Sequence, residues 1–364
     1  MDIFQEIVDA LKSEDRVMLA TIVSTSGSTP AAALSKMLVK QGGTVAVGTV
    51  GGGCMEGDVV LHAHRLYDSG KAEILTFHLN EDDAEHGLIC GGNLDVLIEP
   101  LIREQVPLFE RIKDLRHKGS DCILATLIGR DSRIRLKEVL IAEQGGWNLG
   151  KLEQYSATVD LDDQLNKLYH RNETRRLTVR DGELFLESVM GCPSLIVFGG
   201  GHVSKYVSRT AAMVGFLVTI VDDRPKFANR ERFPEAAHVL ATNFADAFTK
   251  LEITSSSYIV IVTRGHRYDE EVLERALKTP ARYIGMIGSK RKVLTTYEHL
   301  MQRGVSRESL TRIRSPIGLD IGAVTAEEIG VSIVAELVRV RRGIQEEVRH
   351  KSDSIKEQID RLAR

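Results

Sequence analysis

The glycine-rich stretch at residues 51–57 constrains this chain more than any other feature. We call it the glycine–cysteine segment, and it reads Gly51-Gly52-Gly53-Cys54-Met55-Glu56-Gly57. Three successive glycines remove side chains, so backbone N–H groups can approach a ligand closely. Residues 58–67 have helical character, which places Cys54 near a helix N-terminus, where anions are favoured and the pKa of a thiol is lowered. The segment therefore predicts a ligand that carries both a phosphate and a group that a thiolate can bind.

Length and composition fit an ordinary globular protein of two or three domains. The chain has 364 residues, of which 43% are hydrophobic and 27% charged, with a formal net charge of −3. No basic run is interleaved with aromatic residues, which argues against nucleic acid as a partner. The first residues are acidic and amphipathic rather than signal-like, and no apolar stretch approaches about 18 residues. We therefore expect a cytoplasmic protein that does not enter a membrane.

The four cysteines are Cys54, Cys90, Cys122 and Cys192. None forms a C-x-x-C pair, so neither a zinc ribbon nor a redox motif is indicated, and reduced thiols are expected. Cys90 also borders glycines, and we expect Cys54 and Cys90 to face a common cleft; the alternative is that both are small buried hydrophobes. Cys122 lies in an apolar run and is expected in a core. The predicted ligand-binding residues of this domain are Gly51, Gly52, Gly53, Cys54, Glu56 and Cys90.

Histidines near these cysteines do not form a convincing metal site. His62 and His64 are two residues apart on the predicted helix, so they point to different faces. His86 and Cys90 are four apart, but neighbouring glycines argue against a helix there. We expect no metal bound by protein ligands alone.

The first 190 residues predict an α/β domain with a mixed sheet. Helices are expected at 3–11, 58–67, 107–118 and 161–169, from apolar residues at helical spacing. Strand-like runs bounded by turn signals are expected at 17–23, 37–39, 44–50, 74–79, 94–99, 122–128, 138–143 and 183–188. A linker is expected near residues 190–193.

The second half begins with the pattern of a dinucleotide-binding fold. An apolar strand at 194–198 leads into the stretch Gly199-Gly200-Gly201-His202, which we call the triple-glycine turn. A helix and a second strand follow, and the second strand ends at Asp222. This order predicts a Rossmann-like parallel-sheet domain over residues 193–345. In it, Gly199 would form the tight turn, Gly201 would let the backbone reach a pyrophosphate, and Asp222 would bind a ribose hydroxyl. His202 is a further predicted cofactor-binding residue of this domain.

Later strands and helices continue the α/β alternation. Arg264, His266 and Lys290 fall in loops at the carboxyl edge of the predicted sheet, where they either contact phosphate or form a solvated basic surface. Thr325 and Glu328 have the spacing of a capping box at the start of a long final helix. The charged helical tail, 346–364, is expected either to pair with a second subunit, giving a homodimer, or to lie on the surface.

Several of these stretches together resemble the xanthine dehydrogenase accessory factor family, also called XdhC/CoxI. The resemblance extends over roughly residues 10 to 340. Its motifs are GSTP at 27–30, GTVGGGCMEG at 48–57, CGG at 90–92, VFGGGHV at 197–203, VDDRP at 221–225, TRGH at 263–266, YIGMIGS at 283–289 and SPIGLDIG at 315–322.

The resemblance implies a maturation factor for molybdenum hydroxylases rather than a turnover enzyme. Such proteins bind the molybdenum cofactor, molybdopterin, as transient cargo, protect it while its sulfur ligand is installed, and deliver it to a hydroxylase such as xanthine dehydrogenase. The partners implied are that hydroxylase and a sulfurtransferase or cysteine desulfurase. Cys54 would be the thiol that faces the cofactor, with Cys90 a second. A phosphate suits a glycine-rich N–H nest, and a soft metal–sulfur centre suits a thiolate.

The chain departs from the family pattern just after the GSTP turn. Family members commonly have an arginine directly after this turn and a glycine three residues later, whereas this chain has Ala31 and Leu34. An arginine would be a natural phosphate ligand. We therefore expect weaker cofactor affinity or a phosphate contact from elsewhere.

Three other functions compete with this one. An NAD(P)-dependent oxidoreductase would use Gly199, Gly201 and Asp222, but no clear acid–base pair accompanies them. A regulatory module could sense a nucleotide through the Rossmann-like half and gate the first domain. A xanthine dehydrogenase itself would need iron–sulfur cysteine clusters, which four scattered cysteines cannot supply.

Overall fold

The computed structural model describes residues 2–40, 45–78, 92–143, 146–156, 159–169, 171 and 173–343. The chain forms two compact units, Met1–Gly191 and Cys192–Arg364, and each is described by itself. His86, Cys90 and the tail 346–364 lie outside the described residues, as does the side chain of Cys54.

The first unit contains four α-helices and eleven strands among its described residues. The helices are α1 (Ile3–Ser13), α2 (Cys54–Tyr67), α3 (Val106–His117) and α4 (Leu161–Leu168). The strands are β1 (Arg16–Ser26), β2 (Lys36–Lys40), β3 (Val45–Gly48), β4 (Glu73–His78), β5 (Asn93–Ile102), β6 (Cys122–Gly129), β7 (Ile134–Leu140), β8 (Ala142–Glu143), β9 (Gly146–Trp147), β10 (Thr174–Val179) and β11 (Gly182–Val189).

Helix α1 shows how local sequence sets these elements. Asp2 is its N-cap, and the Asp2 carboxylate accepts a hydrogen bond from the N–H of Phe4 at 3.0 Å. Apolar residues recur at helical spacing and are buried, so the stripe predicted from the sequence faces the core. Those residues pack with α3 and with the inward faces of β1, β5 and β6.

Two antiparallel sheets organise the first unit. The first sheet has the order β3-β2-β1-β5-β4, and the second sheet has the order β10-β11-β6-β7. A small hairpin of β8 and β9 stands apart from them. The predicted α/β character is confirmed. Where one mixed sheet was expected, the described strands form two sheets in which every pairing is antiparallel.

The two sheets share one strand plan. In each, a hairpin (β1–β2 or β6–β7) lies beside a second antiparallel pair (β5–β4 or β11–β10), and a helix falls between the two pairs in the chain. The register agrees: Thr21 opposes Lys36 in the first sheet, and Thr126 opposes Lys137 in the second. The sequence Leu-Ala-Thr occurs at 19–21 and again at 124–126.

Two buried ion pairs cross between these sheets in opposite directions. Lys36 of the first sheet binds Glu187 of the second at 2.8 Å, and Lys137 of the second binds Glu99 of the first at 2.8 Å. The four side chains are between 2% and 14% exposed. Removing one partner of such a pair is costly, because it leaves an uncompensated buried charge.

The second unit contains one parallel sheet of six strands. The strands are β12 (Ser194–Phe198), β13 (Leu217–Asp222), β14 (His238–Ala241), β15 (Tyr258–Ile261), β16 (Tyr283–Met286) and β17 (Ile313–Arg314), in the order β14-β13-β12-β15-β16-β17. The helices are α5 (His202–Met213), α6 (Phe244–Lys250), α7 (His266–Ala276), α8 (Lys290–Gln302), α9 (Arg307–Thr311) and α10 (Ala326–Arg341). Numbered from β12, this is the 3-2-1-4-5-6 order of a Rossmann fold, as predicted.

Helix ends in this unit agree with the sequence signals. Gly215 follows α5 at φ +85°, and the N–H of Phe216 bonds to the carbonyl of Ala211, which completes a Schellman motif. The capping box at α10 is present: Thr325 caps the helix and Glu328 reaches back to the N–H of Thr325. Strands β9, β10 and β17 were not predicted from the sequence.

Candidate functional site

The glycine–cysteine segment has a backbone that only glycine adopts comfortably. Gly51, Gly52 and Gly53 have φ values of +137°, +95° and +59°. A Cβ on Gly51 would lie 3.1 Å from Cγ of Pro30 and 3.3 Å from Cε of Met55. The GSTP turn therefore packs against this segment, and two family motifs distant in sequence meet in space.

Glu56 holds the backbone of the segment through hydrogen bonds to its side chain. One carboxylate oxygen of Glu56, Oε1, accepts hydrogen bonds from the hydroxyl of Thr49 at 2.5 Å and from the N–H groups of Val50 and Gly52 at 3.3 and 3.2 Å. The N–H of Gly51 bonds to the Thr49 hydroxyl at 3.2 Å. Two of the three glycine N–H groups expected to cradle an anion, those of Gly51 and Gly52, are therefore already held inside the protein.

The start of α2 supplies the remaining N–H groups. Gly53 is the N-cap of this helix, and no side chain caps it. The structure places Cys54 at the first helical residue, as the sequence predicted. The unfilled first turn of a helix attracts anions through its dipole and its N–H groups. That Cys54 and Glu56 bind a cofactor stays a prediction, because the Cys54 side chain lies outside the described atoms.

The other thiols are either buried or outside the described residues. Cys122 is fully buried in β6, and burial, aided by nearby Glu187 and Asp121, raises the pKa of its thiol to about 12. Its predicted place in a core is confirmed. Cys192 is also buried. The common cleft of Cys54 and Cys90 stays a prediction, since Cys90 is not described.

The backbone explains one departure from the family pattern. Leu34 has φ +69°, in the left-handed region that glycine enters without steric cost. Its N–H bonds to the carbonyl of Ile22 at 2.9 Å, which fixes the end of the β1–β2 connection. Ala31 packs beside the core that underlies α2.

The triple-glycine turn of the second unit is tightly held. Gly199 has φ +107°, and a Cβ there would lie 2.4 Å from the carbonyl oxygen of Val262. A Cβ on Gly200 would lie 2.3 Å from the carbonyl oxygen of Phe227, whereas Gly201 faces open space. Arg232 donates hydrogen bonds to the carbonyls of Gly200 and Gly201 at 2.9 and 3.1 Å.

Asp222 is fully engaged by its neighbours. Its buried carboxylate accepts hydrogen bonds from the N–H of Gly200 and the N–H of Arg224, and two more from the Arg224 guanidinium, all at 2.8 to 3.0 Å. Burial alone would raise the pKa of Asp222, but the hydrogen bonds and charge of Arg224 outweigh it and hold this pKa below its usual value. Four bonds fill the acceptor sites of a carboxylate. Ribose binding by Asp222 stays a prediction that requires Arg224 to move.

The basic residues at the carboxyl edge are only partly paired. Arg264 binds the carboxylate of Asp223 through two hydrogen bonds, at 2.5 and 2.8 Å. His266 and Lys290 are the first residues of α7 and α8, and His202 is the first of α5. Phosphate binding by any of them stays a prediction.

The described residues contain no group of three or more metal-ligating side chains. His62 lies 3.5 Å from the carboxylate of Glu73 and beside Arg65, in an ion-pair cluster. No helix in the described part of the chain is long and apolar enough to cross a membrane.

A cavity of about 460 Å³ lies between the two sheets of the first unit, away from the glycine–cysteine segment. Its apolar wall includes Ile74, Leu97, Ile128 and Phe185. None of the predicted site residues lines it.

Comparison with known proteins defines the class. The model of the XdhC and CoxI family matches residues 10–78, and the model described as the XdhC Rossmann domain matches residues 195–337. The chain belongs to the XdhC/CoxI family, as its motifs predicted. The first match includes the glycine–cysteine segment, and the second includes the triple-glycine turn.

Particular relatives extend over nearly the whole chain. A probable xanthine dehydrogenase component of Bacillus subtilis (strain 168) is 27% identical over 345 residues, which covers 94% of this chain and 98% of that protein. The molybdenum cofactor insertion chaperone PaoD of Escherichia coli (strain K12) is 22% identical over 339 residues, covering 92% and 86%. A solved structure of a xanthine dehydrogenase from Bacillus halodurans matches the fold with a TM-score of 0.76, at 24% identity, covering 98% of this chain and all of that one.

Proposed function

We propose that this chain binds the molybdenum cofactor and supports its sulfuration and its insertion into a xanthine dehydrogenase-type hydroxylase. Family membership and similarity to a molybdenum cofactor insertion chaperone support an accessory role for molybdenum hydroxylases. The observation that carries the proposal is the uncapped start of α2, which follows three left-handed glycines and begins at Cys54.

The chemistry of the segment fits such a cargo. The pterin phosphate would lie at the first turn of α2, where N–H groups and the helix dipole favour an anion. The glycines leave no side chains to exclude the pterin: a Cβ on Gly52 or Gly53 would meet no atom within 4 Å. Glu56 would act by holding the segment in shape, because its described contacts all go to Thr49, Val50 and Gly52.

Cys54 would bind the soft metal–sulfur end of the cargo. A thiol at a helix N-terminus has a lowered pKa, so a larger fraction is thiolate at neutral pH. Thiolates are the preferred protein ligands of soft metal centres. We place the protein in the cytoplasm as a homodimer, with a molybdenum hydroxylase and a sulfurtransferase or cysteine desulfurase as partners.

Native mass spectrometry after co-expression with a molybdenum hydroxylase tests this proposal. The wild-type protein should retain a molybdopterin mass, and Cys54→Ser should lose most of it because the soft ligand is gone. Cys192→Ala is the matched control, since Cys192 lies in the other unit. Equal retention by wild type and Cys54→Ser would refute the role of Cys54, and no pterin in the wild type would refute the proposal.

A second candidate function rests on the Rossmann strand order and the triple-glycine turn. In that case the second unit would bind NAD(P) or another nucleotide, either for hydride transfer or to regulate cofactor binding. The saturated carboxylate of Asp222 weighs against a ribose contact in this conformation. Calorimetry with NAD, NADP and ATP tests it, and Arg224→Ala should strengthen any binding that Asp222 mediates.

A further inference from the structure

We propose that Glu187, in the second sheet, is a positioning residue for the glycine–cysteine segment of the first sheet. It acts through Lys36 and Thr49. The inference rests on the proposed function only for the identity of the bound cargo. The coupling between Glu187 and the segment does not depend on which cargo binds.

The first step is the buried pair of Glu187 and Lys36. The ammonium of Lys36 lies 2.8 Å from Oε2 of Glu187 and donates a second hydrogen bond to the hydroxyl of Thr21 at 3.1 Å. The Lys36 side chain is 5% exposed and that of Glu187 is 14% exposed. A charge this buried depends on its partner, so the pair fixes where β2 begins.

The second step is the backbone of Lys36. Its carbonyl accepts a hydrogen bond from the N–H of Thr49 at 3.0 Å. A Cβ on Gly48 would lie only 2.4 Å from the same carbonyl oxygen, so the chain passes directly over it at φ +91°. Lys36 therefore fixes the residue that enters the glycine–cysteine segment.

The third step is the hydroxyl of Thr49. It accepts a hydrogen bond from the N–H of Gly51 and donates one to Glu56, which also holds Val50 and Gly52. A path of hydrogen bonds, joined through the covalent structure of Lys36 and Thr49, thus runs from the second sheet to the start of α2. Hydrogen-bond networks of packed residues can couple two sites, and a measured change at one site when the other is altered demonstrates it.

The second buried pair provides a built-in control. Lys137 binds Glu99 at 2.8 Å and the hydroxyl of Thr126 at 2.7 Å, which repeats the geometry around Lys36. Strand β7, which carries Lys137, is an edge of its sheet. In the first sheet the backbone carbonyl of Lys36 holds the chain that follows β3. The chain that follows β9 is held by a side chain, since the N–H of Lys151 bonds to the carboxylate of Glu138.

The test compares Glu187→Gln with Glu99→Gln by hydrogen–deuterium exchange and by pterin content after co-expression. Both variants should lose thermal stability, because each leaves a buried lysine uncompensated. Only Glu187→Gln should raise the amide exchange rates of residues 49–52, by roughly threefold to tenfold. It should also lower pterin retention by roughly threefold to tenfold. Exchange and retention that change equally in both variants would overturn the inference.

Gentler variants keep the test decisive where a charge change prevents folding. Thr21→Val and Thr126→Val each remove one hydrogen bond from the corresponding lysine. Thr21→Val should loosen residues 49–52 more than Thr126→Val, and the reverse order would contradict the coupling. If the wild type carries no pterin, the proposed function fails, while the exchange measurement still decides the positioning role.

Discussion

The first and second sheets of the N-terminal unit have the same strand plan but different connections. In the second sheet, residues 130–133 join β6 to β7 and residues 180–181 join β10 to β11. In the first sheet, residues 27–35 join β1 to β2, and residues 79–92 separate β4 from β5 in the sequence. The GSTP and CGG motifs lie in those longer connections. The glycine–cysteine segment follows β3, which has no counterpart among the described strands of the second sheet.

The comparison shows which parts of this frame differ between the two sheets. The shared strands hold the buried Lys–Glu pairs and the apolar core, whereas the family motifs of this unit lie between strands of the first sheet in the sequence. Loops on a rigid scaffold commonly carry binding residues, because they can vary without disturbing the core. The second sheet thus serves as an internal reference for measurements on the first.

The largest expected effect comes from breaking a buried pair. Lys137→Ala leaves the Glu99 carboxylate buried and unpaired, so we expect the free energy of unfolding to fall by about 3–5 kcal/mol. The double variant with Lys137→Met and Glu99→Leu should have a free energy of unfolding within about 1 kcal/mol of the wild-type value, or above it. Urea unfolding followed by the fluorescence of Trp147, the one tryptophan, measures both. A double variant as unstable as the single one would show that the pair stabilises the frame by more than charge balance.

The second prediction compares Gly52, which follows β3 of the first sheet, with Gly146, which begins β9 after the second sheet's β7 in the chain. Gly52 and Gly146 have φ +95° and +150°, and a Cβ on either would meet open space. Alanine at each position should cost about 1–3 kcal/mol through backbone strain alone. Only Gly52→Ala should also lower pterin retention, because only Gly52 lies in the glycine–cysteine segment. Equal pterin retention by both variants would contradict a role of the glycine–cysteine segment in cofactor binding.

The third prediction contrasts two thiols. Cys54 should react with iodoacetamide at neutral pH, because a helix N-terminus stabilises its thiolate. Cys122 should not react in the folded protein even at pH 9, since its pKa is raised to about 12 by burial. Peptide mapping by mass spectrometry between pH 6 and 9 measures both rates. Equal rates would contradict the environment assigned to Cys54.

The raised pKa of Cys122 also predicts how the stability of the protein changes with pH. Its stabilising contribution is complete below the pKa of the unfolded thiol, about 8.5, because both states are then protonated. As the pH rises above that value the unfolded chain ionises first, so the contribution is lost progressively up to about pH 12. Cys122→Ala should remove this alkaline slope.

The smallest expected effect concerns two left-handed residues at matching places. Leu34 and Ser132 have φ +69° and +65°, in the β1–β2 and β6–β7 connections. Leu34→Gly should be about 1 kcal/mol more stable than Leu34→Ala, because only alanine keeps the steric cost. Ser132→Gly should stabilise slightly. Thermal unfolding measures these differences, and a Leu34→Ala variant as stable as Leu34→Gly would argue against strain at this position.

Much of the fold could be predicted because its signals are local. The strands around the triple-glycine turn, the C′ glycine at Gly215 and the capping box of α10 all follow from short sequence patterns. Strand β10 was missed because two arginines interrupt its apolar pattern, and β17 because it has only two residues. The duplicated strand plan was missed because little beyond Leu-Ala-Thr is shared in sequence.

The contacts within the site were harder to foresee because they depend on tertiary structure. The role of Glu56 as a brace and the saturation of Asp222 by Arg224 depend on distances that no spacing rule gives. The link from Lys36 to Glu187 joins residues from different sheets. In both sheets the paired lysine lies opposite a threonine, and only the strand register in the structure reveals this.

Hydrogen–deuterium exchange of pterin-loaded against pterin-free wild-type protein tests the central claim most directly. The account predicts new protection at residues 53–55, where α2 begins, and none at residues 148–152, which follow the small hairpin after the second sheet's β7. Protection confined to residues 199–203 of the second unit, with residues 53–55 unchanged, would contradict it.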